Sequence, residues 1–177
     1  TAEEIATYLQ SMHQTADSTY RLLENLLEWS RLQRGTITFN PVELDIADFL
    51  NSCDLSIIEK AKAKNVELVI TSPKNLSVYA DENMLRTILR NLLSNAIKFT
   101  KRGGKVVVEV QKIKSGDALF MVRDNGIGMT NEMLNKLFNV AENVSRPGTE
   151  NESSSGLGLI LCKEFVEKHG GKIWVES

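Results

Sequence analysis

The sequence predicts an α+β fold: a two-layer α/β sandwich, preceded by one long helix. Three observations predict it. Apolar residues repeat with a helical period near residues 5–30, 45–64, 82–99 and 156–169, and they alternate as in strands at 66–71, 76–80, 105–113 and 118–123. These segments are interspersed without strict strand–helix–strand alternation. Short polar connections such as Lys114-Ser115-Gly116-Asp117 join neighbouring strands as hairpins, which implies antiparallel pairing.

A chain of 177 residues that is 42% hydrophobic suits one ordinary domain, or one domain plus an extra helix, so disorder is excluded as the overall state. Lys and Arg total 21 against 23 Asp and Glu, and the net charge of −2 calls for no nucleic acid and no anionic membrane surface. Cys53 and Cys162 form no Cys-x-x-Cys pair, and His13 and His169 are too few for a structural zinc site, so both thiols read as reduced core residues. Apolar runs such as Val106-Val107-Val108 stop far short of a bilayer span, and the N-terminus lacks a signal-peptide layout; a cytoplasmic location is expected.

Along the chain, Ile5, Leu9, Met12, Ala16, Thr19, Leu23, Leu26 and Ser30 follow by steps of four and three, a heptad seam unbroken before Gly35 that asks for a partner helix. Thr36 to Phe39 reads as a short strand ended by Asn40-Pro41. Asp45 then caps a helix through about Lys64, with Ile46, Phe49, Leu50, Cys53, Ile57 and Ile58 on its buried side. Val66–Thr71 and Leu76–Ala80 read as strands around Ser72-Pro73-Lys74-Asn75, Glu82–Phe99 as a helix, and Lys105–Ile113 with Ala118–Arg123 as a hairpin. Asn131–Phe138 and Gly156–His169 complete the helices, and Lys172–Glu176 is the last strand. Residues 139–155 have no apolar period and collect Asn, Glu, Ser, Pro and Gly; between two glycine signatures they read as a mobile lid over a ligand, with a plain surface loop as the alternative.

The chemistry concentrates in three places. Asn91, Asn95 and Lys98 share one face of helix 82–99, opposite Leu85, Leu89 and Leu93. Two amide oxygens and a cation suit Mg²⁺ completed by phosphate oxygens, although these three residues alone describe any solvated helix face. Asp124 ends a strand and leads into Asn125-Gly126-Ile127-Gly128-Met129. Its carboxylate at the sheet rim can accept from an amino group on a base, and glycines without Cβ let a flat ring approach the backbone. Gly156-Leu157-Gly158-Leu159 opens a helix whose N–H groups and dipole favour polyphosphate, and Ser155 adds a hydroxyl.

Together these residues resemble the catalytic, ATP-binding domain of sensor histidine kinases, within the GHKL ATPases that also include type II topoisomerases, mismatch-repair ATPases and a heat-shock chaperone. Asn91-Leu92-Leu93-Ser94-Asn95-Ala96-Ile97-Lys98-Phe99 looks like that family's N box, Asp124 to Met129 its first glycine box, Leu137-Phe138 its F box and Gly156 to Leu159 its second glycine box. His169 to Ser177 is similar to the strand that follows. The resemblance implies a Bergerat-type fold, with a mixed sheet packed on helices. It also implies Mg²⁺ coordination by Asn95 with Asn91 close by, phosphate contact by Lys98, and catalytic roles for Asn91 and Lys98. Phe99 would pack near the adenine, Asp124 would accept from its amino group, and Gly126, Gly128 and Met129 would line the base pocket.

By the same resemblance, residues 1–35 look like the second helix of a dimerisation and phosphotransfer hairpin, and residues 36–177 are the catalytic domain. The implied partners are ATP, a phosphoacceptor histidine hairpin, a response regulator receiver domain and a second copy of the full-length protein. The acceptor helix itself is not found: His13 lacks the acidic and proline context of an acceptor, and His169 matches a histidine at a helix end. Ser154 stands where a lid glycine is usual, and Arg146 is the candidate for the basic residue expected after the F box, where Glu142 and Asn143 stand. The chain reads as a piece of a longer protein. The alternatives to a kinase are an ATPase switch, which normally carries a glutamate where Asn91 stands as the base that activates water, and a regulatory pseudokinase.

Overall fold

The computed structural model describes residues 1–52, 55–73, 75–113, 116–139, 146–150, 152 and 156–177. In chain order they form α1 (Ala2–Gln33), β1 (Val42–Asp45), α2 (Ile46–Asn51), α3 (Leu55–Ala63), β2 (Glu67–Thr71), β3 (Ser77–Ala80), α4 (Glu82–Phe99), β4 (Lys105–Lys112), β5 (Ala118–Asp124), α5 (Asn131–Lys136) and α6 (Leu157–Lys168).

The long first helix ends at the first glycine. Gly35 takes φ +64°, its N–H donates to the Leu32 carbonyl (2.9 Å), and the Thr36 N–H reaches back to Arg31 (3.0 Å), which together satisfy carbonyls the helix leaves open. The C-terminal turns of α1 join the body, where Glu28, Trp29 and Ser30 are half-buried. Leu32 is buried with Met84, Ile88, Leu161, Cys162 and Phe165, whereas the seam residues Ile5, Leu9, Met12, Leu23 and Leu26 are exposed.

β4 is the centre of a mixed sheet. It pairs parallel with β2 (Glu67 opposite Lys105) and antiparallel with β5 (Val106 opposite Asp124), while β1 and β3 form a separate antiparallel pair. Val106, Val108 and Val110 alternate inward and meet Ile57 and Ala61 of α3 and Leu89, Leu93 and Ala96 of α4. Helices on one side of a mixed sheet are the expected α+β sandwich. Leu93 is fully buried, so truncating it to alanine costs about 2–5 kcal/mol.

Four expectations are corrected. Thr36 to Phe39 is irregular chain, because its side chains serve packing between elements: Ile37 lies against the Leu32 cluster, and the Phe39 ring meets His169 edge-on at 4.9 Å. The strand starts three residues after Phe39, at Val42. The helix capped by Asp45, whose carboxylate accepts the Asp48 N–H (3.0 Å), stops at Asn51, and a second helix begins at Leu55; Cys53 lies outside the described residues. β2 and β3 do not pair with each other, since β2 takes β4 and β3 takes β1. Lys172–Glu176 forms no ladder, and Trp174 is exposed with its Nε1–H on Glu176 Oε1 (3.2 Å). No described helix is long and apolar enough to cross a membrane.

Candidate nucleotide site on helix α4

Both ends of α4 are fixed by side chains. Asp81 caps its start, accepting the Met84 N–H on Oδ1 (3.1 Å) and the Asn40 N–H on Oδ2 (2.9 Å). The Asp81 N–H in turn donates to His169 Nε2 (3.0 Å). That leaves the ring hydrogen on Nδ1, which donates to the Phe165 carbonyl (2.7 Å). His169 is therefore a tie between the end of α6 and the start of α4. His13 lies within α1. Burial pushes the Cys162 thiol up to about 12, as befits a core thiol.

Midway along α4 two of the sequence signatures meet. The Asn91 amide donates to the Thr87 carbonyl (3.0 Å), which turns Oδ1 toward α6, where a Cβ on Gly158 would stand 2.7 Å from that oxygen. Only glycine allows this approach. α6 opens at Gly156 in the left-handed region (φ +71°) with no side-chain cap, so Asn91 lies beside a helix N-terminus, which carries partial positive charge. Leu157 and Leu159 lie in the first turn as expected. Ser155 and Ser154 lie outside the described residues.

At the far end of α4 the first glycine signature docks. The Ile127 N–H donates to the Phe99 carbonyl (3.1 Å), and a Cβ on Gly126 would collide with that carbonyl oxygen and stand 2.6 Å from Asp124 Oδ1. The glycine at 126 thus makes room for the helix end and for Asp124's own carboxylate. Gly128 does take positive φ (+63°), and the Met129 N–H donates to Ser177 Oγ (2.8 Å). Asp124 sits exposed at the rim, with Oδ1 accepting the Gly126 N–H (2.9 Å). Asn125 pins the turn across β4, its Oδ1 accepting the Lys105 N–H (2.8 Å).

The cations gather here too. Lys98 Nζ lies 5.1 Å from the Phe99 ring centroid, and the Arg146 guanidinium lies over the same ring at 4.7 Å while donating to the Gly128 carbonyl (2.7 Å). Burial pushes Lys98 below its ordinary value; nearby Glu152 opposes that shift and Lys64 adds to it. Sequence reasoning missed Lys64, Thr149 and Glu152. Their only sequence signal is position, since contacts made across 34 to 88 residues leave no local pattern.

From Asn91 to Phe99 is about 12 Å of helix. Asn91 and Asn95 fall one turn apart on α4, and among the described residues there is no group of three or more His, Cys, Asp or Glu side chains that could hold a metal ion. Two clefts lie elsewhere: one of about 510 Å³ between α1, the 36–42 segment and the start of α4, and one of about 370 Å³ by Asn65 and Gly104.

Residues 80–177 match the family described as histidine kinase-, DNA gyrase B-, and HSP90-like ATPase. The chain belongs to this ATPase family. Among its relatives, the chain is 33% identical to hybrid signal transduction histidine kinase C of Dictyostelium discoideum, over 96% of this chain and 14% of that protein. It is 30% identical to the sensor histidine kinase GacS of Pseudomonas protegens, over 96% of this chain and 19% of that one. Among solved structures, the full-length histidine kinase ShkA in complex with AMPPNP superposes with a TM-score of 0.74 at 26% identity, covering 93% of this chain and 34% of ShkA. The catalytic domain of histidine kinase ThkA superposes at 0.67 with 25% identity, covering 78% of this chain and 88% of that one. The chain thus spans less than a fifth of the first curated relatives it matches.

Proposed function

We propose that this chain is the ATP-binding catalytic part of a two-component protein-histidine kinase, with residues 1–35 as the second helix of a dimerisation and phosphotransfer hairpin and 36–177 as the catalytic domain. Asn91 carries the reading. An ATPase switch needs a general base at this place to activate water, and an amide whose nitrogen is already donating to Thr87 has no proton-accepting power. Catalysis is then left to positioning and charge neutralisation of the γ-phosphate, which is what a kinase asks of its protein.

In this reading Asn91 and Asn95 would hold Mg²⁺, which when bound would supply neutralisation of phosphate charge. Lys98 contributes a cation, and the start of α6, from Gly156 to Leu159, supplies oriented backbone dipoles. Phe99, Gly126, Gly128 and Met129 receive the adenine, and Asp124 accepts from its amino group. The acceptor is a histidine on a separate helix, which the exposed seam of α1 suits as a packing partner, with the same seam serving a second copy of the chain. Kinship with sensor kinases adds a response regulator receiver domain as the downstream partner.

The test is ATP titration with and without Mg²⁺, followed by incubation with a histidine-bearing helical hairpin and labelled ATP. Thermal stability should rise with Mg-ATP, Asn95→Ala should lose most of the metal dependence, and acid-labile label should appear on the added hairpin. Phosphate release into water with no label on any hairpin would favour the ATPase switch. Label on this chain alone, removed by His13→Ala, would overturn the placement of α1.

A further inference from the structure

A strap of the chain's own, residues 146–150 with Glu152, lies on the proposed nucleotide face. Its centre is fastened to the carbonyl end of α4: the Thr149 N–H and Oγ1 each lie 3.1 Å from the Lys98 carbonyl, and the hydroxyl is also 3.0 Å from the Thr100 carbonyl. The Gly148 N–H donates to the Glu152 carbonyl (2.9 Å) and the Glu150 N–H to Glu152 Oε2 (2.7 Å), closing a tight turn. From beneath, Lys64, 6% exposed, donates both to the Lys98 carbonyl (2.7 Å) and to Glu152 Oε1 (2.6 Å). Gly148 is pressed so closely that a Cβ would collide with the Glu152 carboxylate and stand 2.6 Å from Lys98 Cγ.

The two ends of this strap fall on groups assigned to the base and to the phosphates of a nucleotide. Arg146 covers the Phe99 ring at 4.7 Å and takes the Gly128 carbonyl at 2.7 Å, the ring face and backbone proposed for the base. Glu152 brings a carboxylate beside Lys98, the cation proposed for phosphate. We infer that the strap is an internal competitor of nucleotide: Arg146 stands in for the base and Glu152 for the phosphates, so ATP binds only after the strap lifts from α4. The inference rests on the nucleotide reading above. It assigns Lys64 and Thr149 as positioning residues that hold the competitor down, and it makes the apparent Kd the intrinsic Kd divided by the fraction of molecules with the strap lifted.

Calorimetric titration of the full chain with AMP and with Mg-ATP tests it, alongside amide exchange of the nucleotide-free protein. Arg146→Ala and Glu152→Gln should each tighten AMP and ATP alike by roughly 3–10-fold, because each change raises the lifted fraction that both ligands need. Lys64→Met should act as Glu152→Gln does, and it should speed exchange at Gly148, Thr149 and Glu150 without touching the amides of β4. Variants that bind ATP as the parent does, or more weakly, would overturn the competition while leaving the nucleotide reading standing. Unprotected Gly148 and Thr149 amides in the parent would overturn the docked strap. If neither parent nor variants bind any nucleotide, the nucleotide reading itself falls, and the competition with it.

Discussion

Gly158→Ala separates stability from site geometry. Gly158 lies in the first turn of α6, where alanine is favoured over glycine by about 1 kcal/mol. The added Cβ would stand 2.7 Å from Asn91 Oδ1, nearer than real Cβ atoms come, so the Asn91 amide must swing aside. Swinging it breaks the 3.0 Å bond from its nitrogen to the Thr87 carbonyl, at a net cost of about 1 kcal/mol. The two terms nearly cancel. For a chain of this size 1 kcal/mol moves the melting midpoint by about 2–4 °C, so thermal unfolding without ligand should shift by no more than that. Mg-ATP affinity should fall at least tenfold, about 1.4 kcal/mol, because the oxygen proposed for the metal has left its place. Differential scanning fluorimetry and calorimetric titration on the same preparation measure both. A variant that melts like the parent and binds Mg-ATP like the parent would show that the Asn91 oxygen is not part of the site.

Asp124→Asn keeps an oxygen for the Gly126 N–H while removing the negative charge, so it should weaken ATP strongly and narrow the preference for ATP over GTP; competition titrations read the ratio, and comparable ATP and GTP affinities in the parent would contradict the carboxylate's placement. His169→Ala strands the Asp81 N–H in a buried setting and should cost about 1–3 kcal/mol in urea unfolding, with His169→Gln, which can still accept, losing less. Cys162, with its thiol raised to about 12, should resist alkylation in the native protein at pH 8 and react on denaturation; rapid native modification would refute its packing against α4. Burial raises the Glu152 carboxyl, but the Lys64 hydrogen bond and neighbouring N–H groups outweigh it, leaving Glu152 below its ordinary 4.5. Its contribution is therefore present above that pH and lost as pH falls through the lower native value, so protection of the Thr149 amide should fade in acid before the core amides do.

The sequence disclosed what is periodic or local. The 82–99 helix is legible to the residue, because Asp81 caps it and an uninterrupted apolar stripe runs to Phe99, and the 105–124 hairpin is legible because its valines alternate. Gly35, Gly128 and Gly156 have the positive φ that turns or caps require. What failed was pairing. Thr36–Phe39 and Lys172–Glu176 have strand composition, but strands exist only where a ladder partner is free, and β3 takes β1 while β5 takes β4. The site divides the same way. Asn91, Lys98, Asp124 and Gly158 stand in motifs, whereas Lys64 reaches Glu152 across 88 positions and announces itself only by being a buried lysine.

The polarity of the proposed nucleotide follows from the same geometry. A helix C-terminus carries partial negative charge and an N-terminus partial positive charge, each effective within about a turn. The carbonyl end of α4, at Lys98, Phe99 and Thr100, draws donors from Lys64, Thr149 and Ile127, which is how such an end is satisfied. It is a poor place for the far end of a polyphosphate and a good one for an uncharged base whose amino group seeks the Asp124 carboxylate. Roughly 12 Å back along α4, Asn91 faces the opening turn of α6, where the charge has the opposite sign and the backbone is bare of Cβ at Gly156 and Gly158. In the proposed reading the base then lies at Phe99 and the phosphates run toward Asn91. In that reading Lys98 meets the nucleotide partway along, between Phe99 and Asn91, so Glu152 competes with the nucleotide where base and phosphates join.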